Sequence, residues 1–157
     1  MGSRPRWRWS GDGALLREIA QDDIAARNAR ARALYQRLAE WRFDEVEDVV
    51  PGAASVLVLL RPGAEPSAAL LEALDRDLSD AGDFAEARRH EIDVCYGGSA
   101  GPDLAELARL RGMREREVVE LHCSPTYTVG FLGFAPGFAY LIGLPAALET
   151  PRLATPR

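Results

Sequence analysis

Lysine is absent: all 19 basic residues are arginine. Chemistry that needs a side-chain amine is therefore excluded within this chain. A phosphate loop closing on Gly-Lys-Ser or Gly-Lys-Thr, the strand lysine of a kinase, and the nucleophile of pyridoxal and Schiff-base enzymes all depend on it. Cysteine is also scarce. Cys95 and Cys123 form no CxxC pair and no secretory signal is recognised ahead of them, so the reading is a reducing, cytoplasmic compartment. With His90 and His122 they are the only soft metal ligands, and their spacing is wrong for a zinc finger, so no metal is expected. No apolar run approaches the roughly 18 residues of a membrane span, and position 6 is Arg6 where myristoylation needs Ser or Thr. A membrane role is not expected.

The 157 residues are 47% hydrophobic and 27% charged, enough for a core in one domain or two small ones without disulfide staples. The net charge of -5 is unevenly spread: residues 1–42 hold nine Arg against five Asp or Glu, and the remainder carries -9. That balance argues against a broad nucleic-acid surface.

Trp7 to Ser10 and Ala14 to Ile19 read as two strands around Gly11-Asp12-Gly13, with Trp7 and Trp9 on one face directed to the core. Ile24, Ala31, Leu34, Leu38 and Trp41 recur at helical spacing, which predicts a first helix over 23–40 capped by acidic residues. Its arginines read as a solvated face. Residues 44–50 and 55–60 read as paired strands, the second apolar throughout and so suited to cover on both faces. Ser67 caps a second helix whose stripe is Leu70, Leu71, Leu74 and Leu78. Strands and helices in this order predict an α+β sandwich, with a boundary between Gly82 and Arg89. Beyond it, His90, Ile92, Val94 and Tyr96 alternate with polar residues, which predicts a further strand. Two short helices follow: Leu104 to Arg111, capped by Asp103 and stopped by Gly112, then Arg114 to His122 with Val118, Val119 and Leu121 inward. The prolines after Thr150 preclude regular structure.

Residues 104–122 have the outline of a helix-turn-helix, but over 103–122 four arginines face five carboxylates and DNA binding is not expected. His122 and Cys123 are adjacent on a helix end and diverge, so they read as a capping histidine and a buried thiol rather than a nucleophile pair. Residues 130–141, Gly-Phe-Leu-Gly-Phe-Ala-Pro-Gly-Phe-Ala-Tyr-Leu, are the most informative. They read equally as a hydrophobic core turn or as tightly turned backbone whose amides bind an anion or a carbonyl oxygen.

Five ordered motifs then carry a resemblance: residues 90–98, 101–104, 120–125 (Glu-Leu-His-Cys-Ser-Pro), 133–141 (Gly-Phe-Ala-Pro-Gly-Phe-Ala-Tyr-Leu) and 153–157 (Leu-Ala-Thr-Pro-Arg). Together they resemble the 5-oxoprolinase B-subunit family, also called allophanate hydrolase subunit 1, which includes a sporulation-kinase inhibitor. The match is strong over 90–157 and one of layout before that. The resemblance implies a ferredoxin-like α+β sandwich at 1–86 and a cyclophilin-like β-barrel domain at 87–157. That barrel is expected to be incomplete, because the family continues past the last motif; exposed edges, poor solubility alone or strand exchange would follow. It implies work with subunits A and C in the ATP-dependent opening of 5-oxo-L-proline to L-glutamate, with ATP used by the complex. Two alternatives come with it: non-catalytic inhibition of a sensor histidine kinase, and a carboxyltransferase-type domain acting on urea or another small amide. Under the resemblance Gly133, Pro136, Gly137 and Phe138 are candidate substrate-binding residues, and His122 and Tyr140 are candidates to orient the amide or exchange protons with it.

Overall fold

The computed structural model describes residues 7–20, 23–75 and 88–155. It divides into two compact units. One comprises the described residues before 76 and returns to include Val129–Tyr140; the other comprises Arg88–Thr128 and the described residues from Leu141. The predicted boundary lies mostly outside the described residues, as does Leu78.

In the first unit, β1 (Arg8–Trp9), β2 (Ala14–Glu18), β3 (Val46–Pro51) and β4 (Ser55–Leu60) form an antiparallel sheet in the order β1-β2-β4-β3. Strand β4 is central, but only one face is fully buried: Val56, Val58 and Leu60 alternate with half-buried Ser55, Leu57 and Leu59. The expected cover on both faces is therefore corrected to one. Helix α1 (Ile24–Ala39) starts where the Asp23 carboxylate accepts from Ala26 N at 2.9 Å. It sets Ala31, Leu34 and Leu38 against Leu15, Val56 and Val58. Helix α2 (Ala68–Asp75) starts on Ser67, whose Oγ accepts from Leu70 N at 3.1 Å, and adds Leu70 and Leu74 to the same core, while Leu71 stays exposed. Trp7 packs against this core and donates its indole N–H to Leu74 O at 2.9 Å. Trp9, also expected in the core, is 48% exposed on the two-residue edge strand.

In the second unit, α3 (Leu104–Arg111) ends at Gly112, whose φ of 64° is the left-handed C-cap conformation that glycine adopts without strain. The Asp103 side chain makes no capping bond, contrary to expectation. Helix α4 (Glu115–Cys123) begins with Arg114 N donating to Glu117 Oε2 at 2.7 Å. Ala108, Val118 and Leu148 form a small core, against which Leu121 packs half-buried. The strand expected over 90–96 is absent: this segment is irregular and Ile92 is 80% exposed. Alternation marks a segment fit to be a strand, yet a strand exists only beside a partner for its N–H and C=O groups, and no described strand pairs with this one. Val129–Tyr140, which returns to the first unit, makes up most of a two-stranded sheet of β5 (Thr128–Leu132) and β6 (Ala139–Ile142), joined by residues 133–138. Among the described residues no helix is long and apolar enough to cross a membrane.

Candidate functional site

The β5–β6 turn closes on itself. Gly133 N donates to Phe138 O at 3.1 Å, Ala135 N to Gly133 O at 2.8 Å, and Phe138 N to Ala135 O at 3.0 Å. Pro136 has no N–H. The expectation of a generally open amide cradle is thus narrowed: among the described residues, only the amides of Phe134 and Gly137 in this turn have no partner. Both residues are left-handed, with φ of 67° and 78°. Glycine takes this region freely, whereas phenylalanine is strained there by about 1–2 kcal/mol. Replacing Gly137 by valine is expected to cost about 1–3 kcal/mol, because a β-branched side chain is poorly accommodated at positive φ; urea denaturation reads it. No neighbouring atom stands within 4 Å of the added Cβ, so the penalty belongs to the backbone and not to a clash.

Four rings line this hairpin. Phe131 stacks on Tyr140 with centroids 4.4 Å apart, Tyr140 meets Phe138 edge-on at 5.1 Å, and Phe138 meets Phe134 at 5.5 Å. Phe134 at the tip is 89% exposed. The hairpin is tied to α1 by Asn28, which is 1% exposed and whose Nδ2 donates to Gly130 O at 3.2 Å and to Ala53 O at 3.1 Å. An amide with two donors suits two carbonyls at once, one in the β3–β4 turn and one in the middle of β5.

The second cluster gathers on Tyr96. Its hydroxyl lies 2.5 Å from His122 Nδ1 and 3.4 Å from Cys123 Sγ. The His122 ring stands between Tyr96 and Tyr127, with centroids at 5.6 and 5.4 Å, and the Tyr127 hydroxyl donates to His122 O at 2.9 Å. The phenol has one hydrogen to give. Directed at Nδ1, it leaves the imidazole proton on Nε2, and the thiol donates to the phenol oxygen; directed at sulfur, it leaves Nδ1–H to donate to that oxygen. Either way Nε2 is the nitrogen left for a ligand, and the three groups form a path for a proton. The Tyr96 hydroxyl is pushed up to about 12 by its hydrogen bond to Cys123, by burial and by the Cys123 charge; burial foremost also raises Tyr127.

A stability consequence follows. The folded-state value of Tyr96 lies above the ordinary value of 10.0, so its contribution is complete below pH 10 and is lost as pH rises toward 12. A Tyr96→Phe variant is expected to show a shallower alkaline decline than the parent, measured as urea midpoints between pH 9 and 12, with Tyr127 leaving a remainder.

The candidates from the sequence therefore fall into two groups. Gly133, Pro136, Gly137, Phe138 and Tyr140 meet in the hairpin of the first unit, and His122 lies in the second. The reading of a buried thiol and a capping histidine is overturned: Cys123 is exposed, and both side chains turn to Tyr96. Helix-end neighbours that cannot bond one another can still share a third partner. Tyr96 and Asn28 were not singled out by sequence as site residues. Tyr96 was legible as the end of an alternating run, but its partners lie 26 and 27 positions away. Among the described residues no group of three or more His, Cys, Asp or Glu is placed to hold a metal.

Residues 5–157 match the family described as carboxyltransferase domain, subdomain C and D. The chain is similar to the 5-oxoprolinase B-subunit of Escherichia coli O157:H7, 41% identical over 98% of this chain and 70% of that protein. It is likewise similar to the 5-oxoprolinase B-subunit of Bacillus subtilis strain 168, at 30% identity over 94% of this chain and 66% of that protein. A solved structure of TTHA0988 superposes with a TM-score of 0.75 at 31% identity, covering 92% of this chain and 28% of that one. The chain thus spans under a third of that structure and about two thirds of the Bacillus relative. A family match along nearly the whole sequence, with two relatives of one name, places the chain in the carboxyltransferase-domain family of subdomains C and D, among the relatives of the 5-oxoprolinase B-subunit.

Proposed function

We propose that this chain acts as one subunit of an ATP-dependent 5-oxoprolinase that opens 5-oxo-L-proline to L-glutamate together with subunits A and C in the cytoplasm. The observation that carries the reading is the similarity to a protein named as the B-subunit of 5-oxoprolinase across 98% of the chain. The N-terminal part, 1–86, is taken as ferredoxin-like and 87–157 as part of a cyclophilin-like barrel. ATP supplies the driving force for opening a stable lactam and is handled outside this chain, which has no lysine for a phosphate loop.

Two parts of this chain suit the reaction. The carbonyl oxygen of an amide gathers negative charge as it is attacked, and fixed backbone donors stabilise that charge. The Phe134 and Gly137 amides are the donors left in the hairpin turn, and Gly133, Pro136 and Phe138 shape it. His122, with Nδ1 held by Tyr96, is the group to give or take a proton at Nε2, and Tyr140 is a second hydroxyl on the hairpin. The family description favours one further reading, a carboxyltransferase-type domain acting on urea or another small amide.

Co-expression with candidate A and C subunits and an assay of ATP-dependent glutamate formation from 5-oxoproline tests the proposal. Formation that disappears when this chain is omitted is the expected result. Undiminished formation without it overturns the reading, and carboxyl transfer from carboxybiotin to urea in its place selects the second.

A further inference from the structure

A cavity of about 490 Å³ opens in the first unit, remote in sequence from both clusters above. Its floor is core: Leu38, Val58 and Leu70. Its walls include three aromatic rings, Tyr35, Trp41 and Phe43, all half-buried, with Trp41 and Phe43 edge-on at 77° and 5.6 Å. Neither the Tyr35 hydroxyl nor the Trp41 indole N–H has a hydrogen-bond partner among the described residues.

The charges around it decide what would enter. Asp44, Glu47 and Asp48 contribute three carboxylates to the lining against two arginines. Both arginines already donate to backbone carbonyls: Arg42 Nη1 to Ala39 O and Trp41 O, each at 3.0 Å, and Arg61 Nε to Asp44 O at 2.8 Å. The C-terminal end of α1, the negative end of its dipole, reaches the cavity at Leu38 and Ala39. The register of β3 against β4 shifts between Val46 and Asp48, so Glu47 is the unmatched residue of a bulge. Bulges re-aim side chains, and Glu47 lines the cavity. Aromatic faces, an excess of carboxylates and a helix C-terminus all favour positive charge, and the apolar floor favours carbon attached to it.

We propose that this cavity binds a small organic cation, an alkylammonium or guanidinium group on a short apolar body. The cation would lie against the aromatic walls with its charge toward Glu47 and Asp48. Such a head group can arrive as a free metabolite or as a lysine or arginine side chain of another protein; the chemistry of recognition is shared.

The test is an NMR titration of the full chain, following the Trp41 indole N–H signal, assigned with a Trp41→Phe variant. The probes are choline, agmatine and, as the protein-borne source, a short peptide containing trimethyllysine or arginine. Saturable shifts with choline or agmatine, absent with sodium chloride at equal ionic strength, are expected. Saturation only by the peptide supports the same chemistry and assigns a protein source. The Glu47→Gln, Asp48→Asn double variant, changed only at exposed positions, should weaken binding by about threefold to tenfold. No saturable shift with any cationic probe, an equal response to acetate or 5-oxoproline, or unchanged affinity in the double variant would overturn the proposal.

Discussion

Replacing Asn28 by leucine should destabilise the protein by about 2–4 kcal/mol, although the side chain is close in volume and more apolar than the one it replaces. The loss would come from the partners. Asn28 is the donor to both Ala53 O, in the half-buried β3–β4 turn, and Gly130 O, buried in β5, and without it both carbonyls lose that donor. Leucine cannot bond either one, whereas Asn28→Asp keeps the shape and reverses the polarity facing them, so it should cost at least as much. Urea denaturation gives the magnitude. A second reading separates structure from function: NMR shifts at Phe134 and Gly137 should move in the leucine variant, because the strand that bears the turn loses its tie to α1. A leucine variant within about 0.5 kcal/mol of the parent would show that these two bonds contribute little net stability.

Leu34→Ala is the other large effect, expected at about 2–5 kcal/mol. Leu34 is 3% exposed and belongs to the cluster joining α1 with β2, β4 and α2, so alanine leaves a void bounded by three elements. The spread depends on how far these elements can close in, and central β4, hydrogen-bonded on both sides, has little freedom to move. The urea midpoint should fall with the m-value unchanged. A changed m-value would mean that the compactness of a state changed or that unfolding is not two-state.

The first unit was legible in the sequence because its signals are local and mutually consistent. Leu34 and Leu38 recur at helical spacing, Asp23 and Ser67 stand where caps belong, and residues 55–60 form an apolar run bounded by turn residues, although its cover on one face only was not legible. The second unit was half legible. Gly112 ended its helix on time, yet the Ile92–Val94 alternation promised a strand that needs a neighbour, and periodicity contains no information about neighbours. The candidate site was legible by motif and not by geometry. Residues 133–141 marked a turn, but the direction of each amide depends on dihedral angles such as the positive φ of Phe134, which no composition rule assigns to a phenylalanine. Tyr96 escaped notice because its bonds to His122 and Cys123 join residues brought near by folding.

The return of Val129–Tyr140 to the first unit also bears on the order of assembly during synthesis. The Asn28–Gly130 bond spans 102 positions, so when α1 and its sheet leave the ribosome Ala53 O is present but the second acceptor of Asn28 has not yet been made. At roughly 5–20 residues per second the nascent core waits several seconds for it. In that interval the second Asn28 N–H needs water or a chaperone surface as its partner, and closing so long a loop adds an entropic delay of its own. A gene cut at the apparent boundary near residue 88 would make that interval permanent.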